Sequence, residues 1–200
     1  ESNSLGNDIH YTSDGYPLGY IPPPYKFNLT IPNNLQRTTL PDYYDLRNEG
    51  YLTSVKDQEQ CGACWAFGAY GSIESRWKKL ELGTFDLSEN NANCGHGFEL
   101  GMCDGGNSYW ASAYLVRGDG PILESDDPYL GLSGSYISGL TPIAYVPDVR
   151  MLPNDIDIIK QAIYDYGAIY TDIHVADPAS GESLDQYMNL DFTYYYNGTE

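Results

Sequence analysis

The sequence is poor in positive charge. Its 200 residues include 10 lysines and arginines against 28 aspartates and glutamates, which gives a formal net charge of −18 at pH 7. A charge of this sign is repelled by phosphate groups, so it argues against nucleic acids and anionic membrane surfaces as partners. Because the acidic residues are spread evenly along the chain, the charge favours a role in solubility, or a salty habitat, over recognition of a specific cationic partner.

Long apolar runs are also missing. No stretch reaches about 18 consecutive apolar residues, so the sequence contains no predicted membrane-spanning helix. No signal peptide is visible at Glu1, and one that existed would have been removed. With 42% hydrophobic residues, the chain can still bury a substantial core, as one domain or as two close lobes.

Cysteine and histidine are scarce and are not grouped as in metal sites. The single Cys-x-x-Cys pair has no second matching pair and no histidine cluster, so the metal interpretation is weak and no cofactor is expected. Two acidic groups could bind calcium, but neither follows a twelve-residue calcium loop, and solvated charge is the favoured interpretation. These acidic residues are Glu124, Asp126 and Asp127 in one group, and Asp155 and Asp157 in the other.

The most informative stretch is residues 58–67, Gln-Glu-Gln-Cys-Gly-Ala-Cys-Trp-Ala-Phe. Apolar residues recur at spacings of three and four from Cys64 and predict a helix that ends around Gly83. A thiolate at a helix N-terminus is stabilised by unpaired backbone N–H groups, which should lower its pKa and make it a nucleophile. Gln58 could donate an amide N–H to the oxygen of a tetrahedral intermediate. This pattern predicts nucleophilic catalysis by Cys64 with oxyanion stabilisation by Gln58.

The same stretch resembles the nucleophile motif of papain-like cysteine peptidases. Other blocks resemble that family in the same order, over about residues 40 to 175. They are Leu-Pro-Asp-Tyr-Tyr-Asp-Leu-Arg at 40–47, Ser-Val-Lys-Asp-Gln at 54–58, Leu-Ser-Glu-Asn at 87–90, Cys-Asp-Gly-Gly at 103–106 and Asp-Pro-Tyr at 127–129. The resemblance implies an α+β papain-like fold of two lobes, with the helical lobe complete and the β-rich lobe partial in this chain. It also implies an endopeptidase that acts on polypeptides.

The resemblance assigns roles to further residues. It implies a disulfide between Cys61 and Cys103, and it leaves Cys94 as a free, buried thiol because no cysteine follows Cys103. The two glycines after Cys103 have a second interpretation, a tight turn before a helix. Beside that cysteine they favour a surface along which an extended substrate backbone can lie. The implied substrate-binding residues are Gly105, Gly106, Asn107 and Ser108, with Tyr109 at the border of the pocket.

A thiol peptidase also needs an imidazole that accepts the proton of the thiol. The family places this histidine about 130–150 residues after the nucleophile, followed by an orienting asparagine. None of the histidines lies in that window: His174 is predicted to be an ordinary strand residue, and His10 and His96 to be solvated. We therefore expect the catalytic histidine and asparagine beyond residue 200, in a continuation of the chain or in a second chain. The alternatives are a non-catalytic peptide-binding module and a self-inhibited zymogen.

The sequence divides into two regions. Residues 1–39 are rich in proline and small polar residues and predict an N-terminal arm or a short propeptide, whereas residues 40–200 form the peptidase domain. Cysteine bridging and 20 tyrosines favour an extracellular or cell-surface location. Further predicted elements are a helix at 87–91 with Ser88 as N-cap, a helix at 107–116, and a helix that has Asn154 as N-cap and Gly167 as stop. Strands are predicted at 168–175 and 192–196.

Overall fold

The computed structural model describes residues 39–173 and Met188. Its α-helices are α1 (Cys64–Lys79), α2 (Glu89–Gly95), α3 (Ser108–Val116) and α4 (Ile156–Tyr166), and Gly131–Ser133 forms a short 3-10 helix. In this part of the chain, isolated bridges pair Gly62 with Asp104 and Leu87 with Leu123. No helix in the described part of the chain is both long enough and apolar enough to cross a membrane.

Helix α1 is the centre of the core. Trp65, Ala66, Ala69 and Tyr70 form its buried face and pack against residues from α2, α3 and the segment before α2. Those partners are Leu87, Ala92, Ala111, Tyr114 and Leu115. The helix carries three basic residues in its last turn, which suits the negative end of the helix dipole. The predicted helix is confirmed, although it ends at Lys79, four residues before Gly83.

Helix α2 is fixed by buried hydrogen bonds. Ser88 caps it as predicted, because its hydroxyl accepts the backbone N–H of Asn91. Asp127 is 1% exposed, and its carboxylate accepts hydrogen bonds from the side chains of Asn90 (2.6 Å) and Asn91 (2.7 Å). The expectation that Asp127 is a solvated charge is therefore wrong. Its charge is compensated by amide donors that come from α2, far away in sequence.

The N-cap of helix α4 lies one residue later than predicted. Asp155, and not Asn154, is the N-cap, and its carboxylate accepts the backbone N–H groups of Asp157 and Ile158. Gly167 ends the helix as expected, with a φ of 103° that favours glycine.

The predicted strand at 168–175 is absent from residues 168–173, and residues 174 and 175 lie outside the described residues. The chain there lies against α1 and contacts its side chains. The backbone N–H of Ala168 donates to Ser75 Oγ at 2.9 Å. The predicted strand at 192–196, the arm at 1–38, His10 and His174 also lie outside the described residues.

Candidate active site

Cys64 is the first residue of α1. The preceding residue, Ala63, offers no side-chain cap, so backbone N–H groups of the first turn are available to an anion. Burial raises the pKa of the half-buried Cys64 thiol, and the backbone N–H groups of Trp65 and Cys64 lower it by less. The prediction that the helix terminus lowers the pKa of Cys64 below its usual value is therefore wrong. The helix terminus acts in the predicted direction, but desolvation of the thiolate outweighs it.

A disulfide between Cys61 and Cys103 holds the segment that precedes Cys64, as the sequence resemblance implied. Gly62, within this segment, donates its backbone N–H to the carbonyl of Cys103 at 3.1 Å. A Cβ at position 62 would lie 2.4 Å from that carbonyl oxygen, so only glycine fits. No role was predicted for Gly62, although its place between a bridged cysteine and the helix start is a signal that the sequence contains.

Gln58 is held by hydrogen bonds of its side chain and of its backbone. Its side-chain Nε2 donates to the carbonyl of Cys61 at 3.0 Å, and its own carbonyl accepts the hydroxyl of Tyr129 at 2.9 Å. Tyr129 also packs edge-on against Phe67 of α1, with ring centroids 5.0 Å apart. The structure thus fixes Gln58 against the loop that leads to Cys64. The contact of Tyr129 with Gln58 was not predicted from the Asp-Pro-Tyr block.

Lys56 anchors the chain just before Gln58. Its Nζ lies 3.2 Å from Glu74, 2.8 Å from Glu89 and 2.8 Å from Asp86, and it donates to the carbonyl of Leu87 at 3.0 Å. These carboxylates raise the pKa of Lys56 despite its partial burial. Burial raises the pKa of Glu89 to about 7, against the effect of Lys56. Lys56 thus links the segment just before Gln58 to helices α1 and α2.

The glycine pair and the residues after it are buried. Gly105 has a φ of 97°, and a Cβ at Gly106 would lie 2.6 Å from the ring of Trp65. Asn107 caps α3, because its Oδ1 accepts the backbone N–H groups of Tyr109 and Trp110. Ser108 is the first residue of α3 and is half-buried. These contacts give Gly106 and Asn107 structural roles, and substrate binding by all four residues stays a prediction.

His96 is buried, and the expectation that it is solvated is wrong. It is 3% exposed and stacks on Trp110 and Phe98, with the edge of Trp65 against its ring. Its Nδ1 accepts the backbone N–H of Phe98 at 2.9 Å, so this nitrogen carries no proton. Burial, together with the positive charge of Arg117, lowers the pKa of His96. His96 is therefore a neutral imidazole packed in the protein interior, with Nδ1 hydrogen-bonded to the backbone.

Cys94 is free, as predicted, but only half-buried. Its thiol contacts Asn90 Oδ1 at 3.5 Å, and burial raises its pKa to about 11. This thiol is therefore almost fully protonated near neutral pH.

Comparison with known proteins places these features in a family. Residues 40–187 match the family described as "Papain family cysteine protease". A probable cysteine protease, RDL2 of Arabidopsis thaliana, is 31% identical over 156 residues, which is 75% of this chain and 42% of that protein. A viral cathepsin of Heliothis zea nuclear polyhedrosis virus is 33% identical over 69% of this chain and 38% of its own length. The chain thus spans about two fifths of these relatives.

Solved structures agree with this result. The cysteine protease and lectin-like domains of Cwp84, a surface layer associated protein of Clostridium difficile, superpose with a TM-score of 0.65 at 28% identity, over 82% of this chain and 37% of that one. Digestive procathepsin L 3 of Tenebrio molitor larval midgut gives a TM-score of 0.59 at 27% identity, over 69% of this chain and 46% of that one. The described helices are those of a partial papain-like α+β fold, and the chain belongs to the papain family of cysteine proteases.

Proposed function

We propose that the protein is a cysteine endopeptidase in which Cys64 is the nucleophile. The observation that carries this proposal is the position of Cys64 at the uncapped N-terminus of α1, behind a loop fixed by the Cys61–Cys103 disulfide. The thiolate attacks the carbonyl carbon of a peptide bond, and the amine leaves with a proton. Water then hydrolyses the resulting thioester and regenerates the thiol.

Gln58 stabilises the negative oxygen of the tetrahedral intermediate in this proposal. Its amide has a second N–H besides the one that donates to Cys61, and the hydrogen bond from Tyr129 fixes the backbone that carries it. A donor of this kind contributes about 10²–10³-fold to the rate.

The proton of Cys64 goes to a histidine in the sequence that follows residue 200, or in a second chain, and an asparagine orients that histidine. Two observations support this part of the proposal. Burial raises the pKa of Cys64, so the thiol needs a base or an adjacent cation in order to ionise near neutral pH. His96 is already stacked among aromatic rings with Nδ1 bonded to the backbone.

The substrate is an extended polypeptide that lies along Gly105 and Gly106, with Asn107 and Ser108 at the border of a side-chain pocket. We further propose that residues 1–39 form an arm or propeptide before the peptidase domain. Its support is that the family match begins at residue 40. The disulfide Cys61–Cys103 supports an oxidising, extracellular or cell-surface location.

The test compares the full-length natural protein with its Cys64→Ala variant on casein. Wild type should cleave casein and Cys64→Ala should not, whereas the matched Cys94→Ala control should remain active. The 200-residue chain alone should be slower by around 10⁶-fold, because the catalytic unit is incomplete. Robust cleavage by Cys64→Ala would refute the nucleophile assignment. Cleavage by the 200-residue chain alone would refute the placement of the histidine.

A non-catalytic peptide-binding module is the second candidate, and the raised pKa of Cys64 is the observation that favours it. Its distinguishing result is tight binding of denatured casein by the full-length protein without any cleavage.

A further inference from the structure

The chain after α4 runs back along α1 towards Cys64. Ala168 donates its backbone N–H to Ser75 Oγ, in the second half of α1. Two residues later, the ring of Tyr170 lies on Gly68, where a Cβ would come within 2.9 Å of it. The contacts therefore move from Ser75 to Gly68 as the chain advances. The next side chain on that face belongs to Asp172.

Continued at the same spacing, the segment would bring Asp172 to the start of α1. No helix or turn is assigned to residues 168–173, and in an extended segment alternate side chains face the same way, about 6.6 Å apart. Cys64 precedes Gly68 by four residues, which is about 6 Å along a helix. If Tyr170 faces Gly68, then Asp172 faces Cys64. Electrostatics agrees, because the charge of Asp172 opposes ionisation of Cys64 and raises the pKa of its thiol.

We propose that Asp172 determines specificity, and that its carboxylate receives a lysine or arginine side chain of the polypeptide substrate next to the bond that is cut. This inference rests on the proposed function and names the substrate class of the same site. Asp172 is exposed, so a substrate side chain can reach it. An ammonium or guanidinium group would donate a charge-assisted hydrogen bond to the carboxylate.

A cationic side chain would also help the chemical step. The negative charge of Asp172 makes the Cys64 thiolate harder to form. A substrate cation beside Asp172 offsets that charge at the moment when the thiol must ionise. An acidic side chain in the same place would add a second negative charge. The preference should therefore appear in kcat as well as in KM.

The experiment uses the full-length protein and pairs of peptides. The two peptides of a pair differ at one position only, where one has lysine and the other norleucine. This position is moved in turn through the three residues before and the two residues after the bond that is cut. For wild type, kcat/KM should favour lysine at one position by about tenfold, the size of one hydrogen bond to a charged group. Asp172→Asn should remove this preference, and Asp172→Glu should keep most of it. The preference should weaken at high salt.

The matched control is Glu81→Gln. This substitution also removes one negative charge, from an exposed residue just beyond the C-terminal end of α1. At a rise of 1.5 Å per helical residue, Glu81 lies about 25 Å from Cys64. This variant should keep the wild-type ratio of lysine to norleucine turnover. An equal loss in Glu81→Gln would mean that overall charge, and not Asp172, sets the preference.

A second measurement needs no turnover. Methanethiosulfonate reagents with a cationic or an anionic tail modify Cys64, and their rates are compared by mass spectrometry. The cationic reagent should be favoured in wild type and lose that advantage in Asp172→Asn. An unchanged ratio of reagent rates or of peptide turnover in Asp172→Asn overturns the role of Asp172 alone. Absence of turnover of every peptide, with the reagent preference intact, overturns the proposed function and leaves Asp172 as a charge beside an inactive thiol.

Discussion

Replacing Lys56 by methionine should destabilise the protein strongly, because one cation serves several buried carboxylates. Its Nζ contacts Glu74, which is 1% exposed, and Glu89, which is 2% exposed, and it also pairs with the exposed Asp86. Removing one partner of a buried ion pair costs about 3–5 kcal/mol, since a charge remains buried without its partner. In the variant, Glu74 still accepts hydrogen bonds from the backbone N–H of Leu87 and the hydroxyl of Thr53. Glu89 therefore carries most of the loss.

The loss should depend on pH with a definite sign. The pKa of Glu89 is raised from 4.5 to about 7, so its protonated form suits the folded state, and the stability it contributes is lost as the pH rises from 4.5 to 7. Lys56 lowers that pKa, so without it the free-energy cost of burying the ionised Glu89 above pH 7 increases. Lys56→Met should thus cost about 3–5 kcal/mol at pH 8 and clearly less at pH 5, where Glu89 holds a proton.

Urea unfolding of the full-length protein, followed by tryptophan fluorescence at pH 5 and pH 8, measures this loss. The control is Lys78→Met, since Lys78 donates a single hydrogen bond, to the carbonyl of Leu52, at an exposed site. That substitution should cost about 1 kcal/mol or less at both pH values. A loss below about 1 kcal/mol for Lys56→Met at pH 8, or a larger loss at pH 5 than at pH 8, would show that Lys56 does not stabilise a buried Glu89 carboxylate.

Three other predictions concern the disulfide, a helix cap and the free thiols. Replacing Cys61 and Cys103 together by alanine should cost about 4 kcal/mol in urea unfolding, because the bridge closes a loop with a sequence separation of 42; a loss under about 1 kcal/mol would contradict this. Asp155→Ala should cost about 1 kcal/mol through the lost N-cap of α4, and Asp155→Ser should recover most of it. Brief iodoacetamide treatment should label Cys64 before Cys94, since burial raises the pKa of Cys94 to about 11. Peptide mapping checks the order, and label found first on Cys94 would overturn it.

Local sequence signals predicted the helices well. Apolar residues recur in α1 at spacings of three and four, and serine is a favoured N-cap residue. Local interactions therefore determine helix α1 and the Ser88 cap of α2. At α4, Asn154 and Asp155 are both favoured N-cap residues, and local sequence does not distinguish between two such neighbours. The disulfide came from a family resemblance and not from local physics.

The errors come from contacts between residues far apart in sequence. His96 follows a glycine and precedes one, which is typical of a solvated loop, yet Trp65 and Trp110 bury it. The pKa of Cys64 depends on burial and on Asp172, which is more than a hundred residues later in the chain. Alternation at 168–173 suggested a strand, but Tyr170 and the backbone of Ala168 contact α1 there. No window of sequence contains these tertiary partners.

Trapping the acyl-enzyme shows directly whether Cys64 is the nucleophile. The full-length protein is mixed with a peptide ester, quenched in acid within one turnover, digested and mapped by mass spectrometry. We expect the acyl half of the substrate to be attached to Cys64 as a thioester, and Cys64→Ala to carry no acyl group. Cleavage of the ester by wild type with the acyl group on another residue, or with none attached at any time, would rule out Cys64 as the nucleophile.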